Sequence, residues 1–357
     1  MKDIEQIDLS AGKWPGFLAF IVERHSIWHR RRDMSRPWTT DPILASGKFG
    51  NVWRALDRGT QWETAACAAI DRGISRNGGS RIRSLTARMA FVALYRHNLI
   101  PQTTWMLLAG ESPTEIGMEA SWQVMHDAIK IWPRVWVEKV ARPNAPDSPI
   151  NCTRMVMPES LDDLTRIEWA VYCDLHAKDV IDAMPVLAEW ARYPESMDLH
   201  AVWKAIQMLM PRLGEFKAYE VLTSWASFDD WPYGESSFVH VGHGALPMLR
   251  SLMTDRHWSS AEKWDLEPYA EALMGPLAVK VGNEIFDRLT DLGIEPPYAF
   301  TERTLEDCLC EYRKYVQVGE GRRQNRSTTD PLGRDWTPLD RAMESDPHRW
   351  PFFGGLR

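Results

Sequence analysis

Between Glu23 and Arg58 the chain sets Arg24, His25, Asn51, Arg54 and Asp57 among Trp28, Trp38, Phe49 and Trp53. Such a grouping suits a phosphate-rich ligand. A guanidinium fork binds an anion through paired N–H groups, an imidazole carries a proton near neutrality, and an amide reads a base edge. Phe17, Phe20, Ile21, Ile27 and Trp28 recur at helical spacing, and Arg24 falls inside that apolar stripe. A charge there must be paired or aimed at an anion, because a lone buried charge is very costly. Two readings are open for Arg24: an ion pair to Asp41 or Asp57, or a fixed fork for phosphate with His25 beside it. Asn51, Arg54 and Arg58, at spacings of three and four, are expected on one face of a helix over 47–61, with Gly47 one turn earlier. That face either reads a base and holds an anion, or forms a network with Asp57.

Other cations could meet the backbone of a nucleic acid. Arg30 and Arg31 close the first helix, where they either contact DNA phosphates or complement the helix dipole. Lys48 follows, and Arg81 and Arg83 open an arginine-rich stretch. From Lys13 to Arg58 there are nine Lys or Arg against four Asp or Glu, and from Asp71 to Arg96 six Arg against one Asp. These blocks predict a positive face on an acidic body, since the net charge of -7 excludes an indiscriminate nucleic-acid binder. The 18 Trp are a heavy load; most are expected as core or packing residues, though the ring is also suited to stacking on unpaired bases.

The segment Met210-Pro211-Arg212-Leu213-Gly214-Glu215-Phe216-Lys217 is similar to the helix-hairpin-helix of DNA base-excision glycosylases. In that motif a glycine permits the tight turn and N–H groups at the next helix start bind a phosphate. Arg212 replaces the motif's first glycine, and Phe216 stands where lyase-active members carry Lys, which argues against Schiff-base chemistry. An ordinary helical corner is the alternative. Glu220, Asp229 and Asp230 are loose candidates for a base there, with solvated or capping roles as the alternative. Gly242-His243-Gly244 could cup an anion with consecutive N–H groups. Near the C-terminus, Leu305, Leu309 and Tyr312 define a core face, leaving Lys314, Arg322 and Arg323 for phosphate.

Three blocks, over about 17–58, 210–245 and 305–323, resemble in order those of the phage DNA-thymine hypermodification family. That family includes amino acid:DNA transferases and the helical partner of hydroxymethyluracil DNA kinase. The resemblance implies a phage protein of the host cytoplasm with a mainly α, multi-helix DNA glycosylase-like fold containing a helix-hairpin-helix element. It implies duplex DNA bearing a 5-phosphomethyl or 5-pyrophosphomethyl uracil as substrate, and a free amino acid or amine, glycine foremost, as co-substrate. Other phage base-modification enzymes would be partners, and no cofactor is needed. In this reading the base is flipped out. Arg24, His25, Asn51, Arg54, Glu220 and Asp229 form the catalytic set, and Gly242, His243 and Gly244 the leaving-group pocket. The contacts to DNA are Arg30, Arg31, Lys48, Arg81, Arg83, Arg212, Gly214, Lys217, Lys314, Arg322 and Arg323. Two rivals remain: a non-catalytic helical partner of a hydroxymethyluracil DNA kinase, and a glycosylase.

The elements that must position these residues are helical, because apolar residues recur at three and four and no long alternating run occurs. Helices are expected over 14–31, 47–61, 82–97, 112–131, 161–176, 182–192, 201–210, 215–226, 261–273, 283–292 and 304–316. Residues 1–318 are expected to form a helical unit, with terminal helices packed around a central module as open as two consecutive domains; 319–357 read as a partly irregular basic tail. At 357 residues and 44% hydrophobic content the core is ordinary. No run approaches the roughly 18 apolar residues of a membrane span, and the start Met1-Lys2-Asp3-Ile4-Glu5 is too acidic for a secretory signal. Five Cys without paired spacing exclude a disulfide framework, and Cys308 and Cys310 read as buried thiols rather than a metal site.

Overall fold

The computed structural model describes residues 7–33, 37–47, 49–96, 179–180, 182–193, 198–234, 238–253 and 266–323. These residues are mainly helical, and no strand occurs among them. The helices are α1 (Trp14–Asp33), α2 (Pro42–Ser46), α3 (Arg58–Arg76), α4 (Arg81–Arg96), α5 (Leu199–Leu209), α6 (Gly214–Trp225), α7 (Leu246–Leu252), α8 (Leu266–Asp291) and α9 (Glu302–Gly319). A 3-10 turn at Arg54–Leu56 and a helical stretch over 182–190 complete the set. The helices expected at 112–131 and 161–176, and the tail past Arg323, lie outside the described residues. The chain divides into two compact units, one from Met1–Asp57 with Glu235–Asp335, the other from Arg58–Gly234 with Trp336–Arg357.

In the first unit α9 is the central helix, packed by α1, α2, α7 and α8. Its stripe Leu305, Leu309 and Tyr312 is buried, as the spacing predicts, against Phe17, Leu18 and Ile21 of α1 and Met274, Leu277, Val281 and Ile285 of α8. Each fully buried side chain of this size contributes about 1.5–3 kcal/mol. Thr301 starts α9 by accepting from the Thr304 N–H, and Gly16 lets α1 approach it: a Cβ there would lie 2.8 Å from the Tyr312 hydroxyl. The two helices expected over 261–273 and 283–292 are one, α8, which runs through Pro276. Pro276 is exposed, while Leu273, Met274, Leu277, Ala278 and Val281 on either side are buried. Continuous packing outweighs the single N–H that proline removes.

In the second unit α3 and α4 pair as a hairpin, and α6 packs on both α4 and α5. Ile70, Ile74, Met89, Phe91, Val221, Leu222 and Trp225 are fully buried, and the Trp225 indole donates to the Met89 carbonyl at 3.2 Å. Arg96, part of a block expected to form a positive face, instead pairs with Glu63 of α3 at 2.7 Å, with both side chains nearly inaccessible. Asp198 caps α5 by accepting from the Ala201 N–H.

Candidate functional site

The helix expected over 47–61 does not form, so Asn51, Arg54 and Arg58 share no helical face. Residues 49–53 are irregular, Arg54–Leu56 make a 3-10 turn, and Arg58 begins α3. Side chains take over the main-chain groups that a helix would use. Asp57 Oδ1 accepts from the Asn51 main-chain N–H at 2.8 Å and from Asn51 Nδ2 at 2.9 Å, and Nδ2 also donates to the Leu56 carbonyl. Gly50 must stay bare, because the Arg54 guanidinium occupies the space a Cβ would need.

Arg54 is buried and pairs with Asp57 at 2.8 Å and with Asp307 of α9 at 3.7 Å. Arg24, also buried, donates from Nη2 to the Phe49 carbonyl at 2.8 Å and to the Gly50 carbonyl, with its guanidinium over the Phe49 ring. Neither ion pair open to Arg24 in the sequence is its direct contact. Asp41 caps α2 and accepts from the Tyr315 hydroxyl at 2.7 Å. Burial raises the Asp57 carboxyl above its ordinary value even beside Arg54. Burial also works to raise Glu311, but Lys314 at 2.6 Å, with Arg54 and Arg24, holds that carboxyl below its usual range. These groups form a buried ionic staple joining 49–57 to α9. Their donors face carboxylates and carbonyls, not an open anion site.

His25 has 1% of its surface exposed, and neither ring nitrogen has a hydrogen-bond partner. The Trp28 ring stacks on it at 5.5 Å and the Trp53 ring meets it edge-on at 4.6 Å, while the Trp53 indole donates to the Ala299 carbonyl. Burial, with His29 nearby, pulls the imidazole down to about 4. His25 is therefore neutral near pH 7 and packs as an aromatic ring.

The carboxylates near the α5–α6 turn separate clearly. Glu220 is buried in α6, Asp229 is exposed, and Asp230 pairs with Arg88 at 2.6 Å and lies 3.7 Å from Arg81. Arg88 also covers the Phe228 ring, making it the second unit's buried cation on α4 beside Arg96. At the α5–α6 turn Gly214 adopts φ 68, the left-handed conformation that the glycine permits, and it is exposed. Arg212 pairs with Asp179, Lys217 lies over the exposed Phe216 ring, and the Trp203 indole donates to the Glu215 carbonyl.

The remaining expected DNA contacts are largely internal. Arg30 makes a two-bond pair with Glu23, both at 3.0 Å, and donates to the Trp38 carbonyl. Lys314 is held by Glu311 and Arg322 by Glu320, whereas Arg81, Arg83 and Arg323 are exposed. Arg31 lies in α1, and Lys48 is outside the described residues. The expected anion cup at Gly242-His243-Gly244 is a packing junction instead. Arg313 of α9 donates to the His243 carbonyl at 2.6 Å, and a Cβ on Gly244 would meet Cys310 Sγ at 2.5 Å. Gly244→Ala is expected to lower the unfolding free energy by about 1–3 kcal/mol through overpacking, with Cys310→Ala restoring part of the loss in urea titrations.

The cations were legible in the sequence, and so was Asp57 as a partner for Arg54; the acids on α9 that also hold them were not. Asp307, half-buried, lies on one helix with the buried Glu306 and Glu311, a concentration of carboxylates opposite the arginine-rich N-terminal block. That excess of charge at core spacing was the available signal. Among the described residues no helix is long and apolar enough to cross a membrane.

The family model described as the 5-hmdU DNA kinase helical domain matches residues 14–82 and 179–324. A 5-hmdU DNA kinase of Bacillus phage SP10 is 26% identical over 253 residues, which cover 68% of this chain and 36% of that kinase. The chain thus spans about a third of that relative's length. No solved structure matches. The matched residues include both segments that build the first unit around α9 and make up more than half of the sequence, and the chain belongs to the 5-hmdU DNA kinase helical-domain family.

Proposed function

We propose that this protein is a non-catalytic helical partner in DNA base modification, engaging duplex DNA for a hydroxymethyluracil kinase activity carried elsewhere. The observation that supports it most is the match to a helical domain of a 5-hmdU DNA kinase over both halves of the α9-centred unit. The SP10 relative has far more chain than the part matched here. Phosphoryl transfer depends on a loop that cradles the phosphates, and the sequence contains neither Gly-x-x-x-x-Gly-Lys-Ser/Thr nor Gly-x-Gly-x-x-Gly. The α5–α6 turn at Gly214, with Lys217 beside it, and the exposed arginines of α4 supply surfaces for the DNA backbone.

The amino acid transferase reading asked Arg24 and Arg54 to receive a leaving group and His25 to take a proton. The two guanidiniums are bonded to carbonyls and carboxylates, and the imidazole is sealed. We therefore favour the partner role. The test measures phosphate transfer from ATP to duplex DNA containing 5-hydroxymethyluracil, with the protein alone, with a hydroxymethyluracil DNA kinase, and with both. No transfer by the protein alone, and at least a tenfold gain in the mixture, is the expected result. Phosphorylation by the protein alone would make it the kinase. A mass gain on phosphomethylated duplex with glycine, glutamate or putrescine would restore the transferase.

A further inference from the structure

We infer that the outer face of α8, with the loop that follows it, is the surface on which a hydroxymethyluracil DNA kinase docks; this rests on the partner reading above and gives that partnership a place. Ala272, Pro276, Val279, Asn283, Phe286 and Thr290 follow one another at steps of four and three, which keeps them on one side of α8 for about 27 Å. Phe286 is half-buried and the other five are exposed. None of the six is charged, in a chain of which 25% of residues are. Val279 is 64% exposed, Leu292 at the end of the helix 59%, and Tyr298 in the loop 45%. Among the described residues of the first unit, these three are the exposed large apolar side chains. Scattered singly such residues are ordinary, but grouped on one helix and its exit they mark an interaction surface.

The face is held in shape before any partner arrives. Gly293 takes φ 72 and the Ile294 N–H donates to the Leu289 carbonyl at 2.9 Å, which fixes the exit from α8. Beside Tyr298, the Ala299 carbonyl accepts from the Trp53 indole at 3.0 Å, and the Trp53 ring stacks on Phe286 at 6.5 Å. Pro276 has no N–H for the Ala272 carbonyl one turn back, so the same side also offers an acceptor without its regular helical donor. A preformed surface spares the cost of ordering on binding. Charge selects the occupant. Asp287, Asp291 and Glu295 are exposed along the border, while Arg288 is tied to Glu284 at 2.8 Å. An acidic border repels DNA phosphates and a second copy of itself, and favours a basic surface. An enzyme that phosphorylates bases within DNA needs such a surface to hold the duplex. The stretch matched here is 36% of the SP10 kinase, so in that protein it is joined to further chain. Where the kinase is carried elsewhere, a surface must do the joining.

The test is surface plasmon resonance of the full chain over an immobilised hydroxymethyluracil DNA kinase that has no helical domain of its own, at low and high salt. Val279→Arg and Leu292→Arg, combined in one variant, should weaken binding about tenfold. Asp287→Lys with Asp291→Lys should slow association and reduce its dependence on salt. Affinity of the Arg variant within about twofold of wild type, with wild type binding normally, overturns the face and leaves the partner reading standing. Wild type that neither binds the kinase nor stimulates it overturns both. A wild-type dimer that the Arg variant breaks in light scattering assigns the face to a second copy and overturns the proposal. So does an Arg variant that loses duplex DNA while keeping the kinase. Should the Arg variant lose its helical circular dichroism, Val279→Ser with Leu292→Ser takes its place and must weaken kinase binding by about threefold or more, or the proposal fails.

Discussion

Replacing Arg54 by Met lowers the unfolding free energy by about 3–5 kcal/mol, because it strips two half-buried carboxylates of their shared, buried cation. Arg54 is buried and lies 2.8 Å from Asp57 and 3.7 Å from Asp307. Methionine fills comparable volume, so the loss reports charge more than packing. Asp57 is already pushed above its ordinary value by burial with Arg54 present. A carboxyl whose folded value is raised weakens the fold as pH rises through that value; the Arg54→Met deficit should therefore shrink as the solution is acidified and Asp57 becomes neutral. Urea unfolding followed by tryptophan fluorescence measures the effect. Adding Asp57→Asn should recover part of it, with a coupling of roughly 0.5–3 kcal/mol. An Arg54→Met protein within about 1 kcal/mol of wild type would falsify the staple and return Arg54 to the pool of ligand-binding cations.

His25 gives the second large effect, and it depends on pH. Its folded value of about 4 lies below the ordinary 6.5. Above 6.5 the imidazole is neutral in both states and contributes no pH dependence. Between 6.5 and 4 the unfolded chain takes up a proton that the folded protein refuses, so stability falls as pH falls, by about 3 kcal/mol across that window. Below 4 the loss levels off. His25→Phe keeps an aromatic ring between Trp28 and Trp53 and removes two nitrogens that lack partners. The variant should match or exceed wild type at pH 7.5, and the difference should widen in its favour toward pH 5. Parallel urea midpoints for the two proteins over that range would show that the imidazole is not the source.

The helical class and most helix positions were legible in the sequence because they follow from apolar spacing. α1, α4, α5, α6 and α9 fall within a few residues of their expected places. Spacing failed where side chains bond main-chain groups. Asn51 and Asp57 divert 49–57 from the helix its period indicates, and no periodicity records that competition. It failed again at Gly275-Pro276, where two residues that usually break a helix are carried by packing on both sides. For the site, residue types showed that Arg24 and Arg54 needed partners, but sequence distance hid that Arg54 meets an acid on α9. Gly244 was legible as a special position, though the reason is a neighbouring sulfur rather than an anion.

Because α9 ties together segments from both flanks, the order of synthesis matters. The ribosome releases α1 some 270 residues before α9, an interval of roughly 15–50 s at 5–20 residues per second. Through that interval Phe17, Leu18 and Ile21 have no access to Leu305 or Tyr312 and must be kept from other company. Premature termination anywhere before Thr301 would deprive the nascent chain of its keystone, so short fragments should be cleared by quality control rather than persist as half-active species.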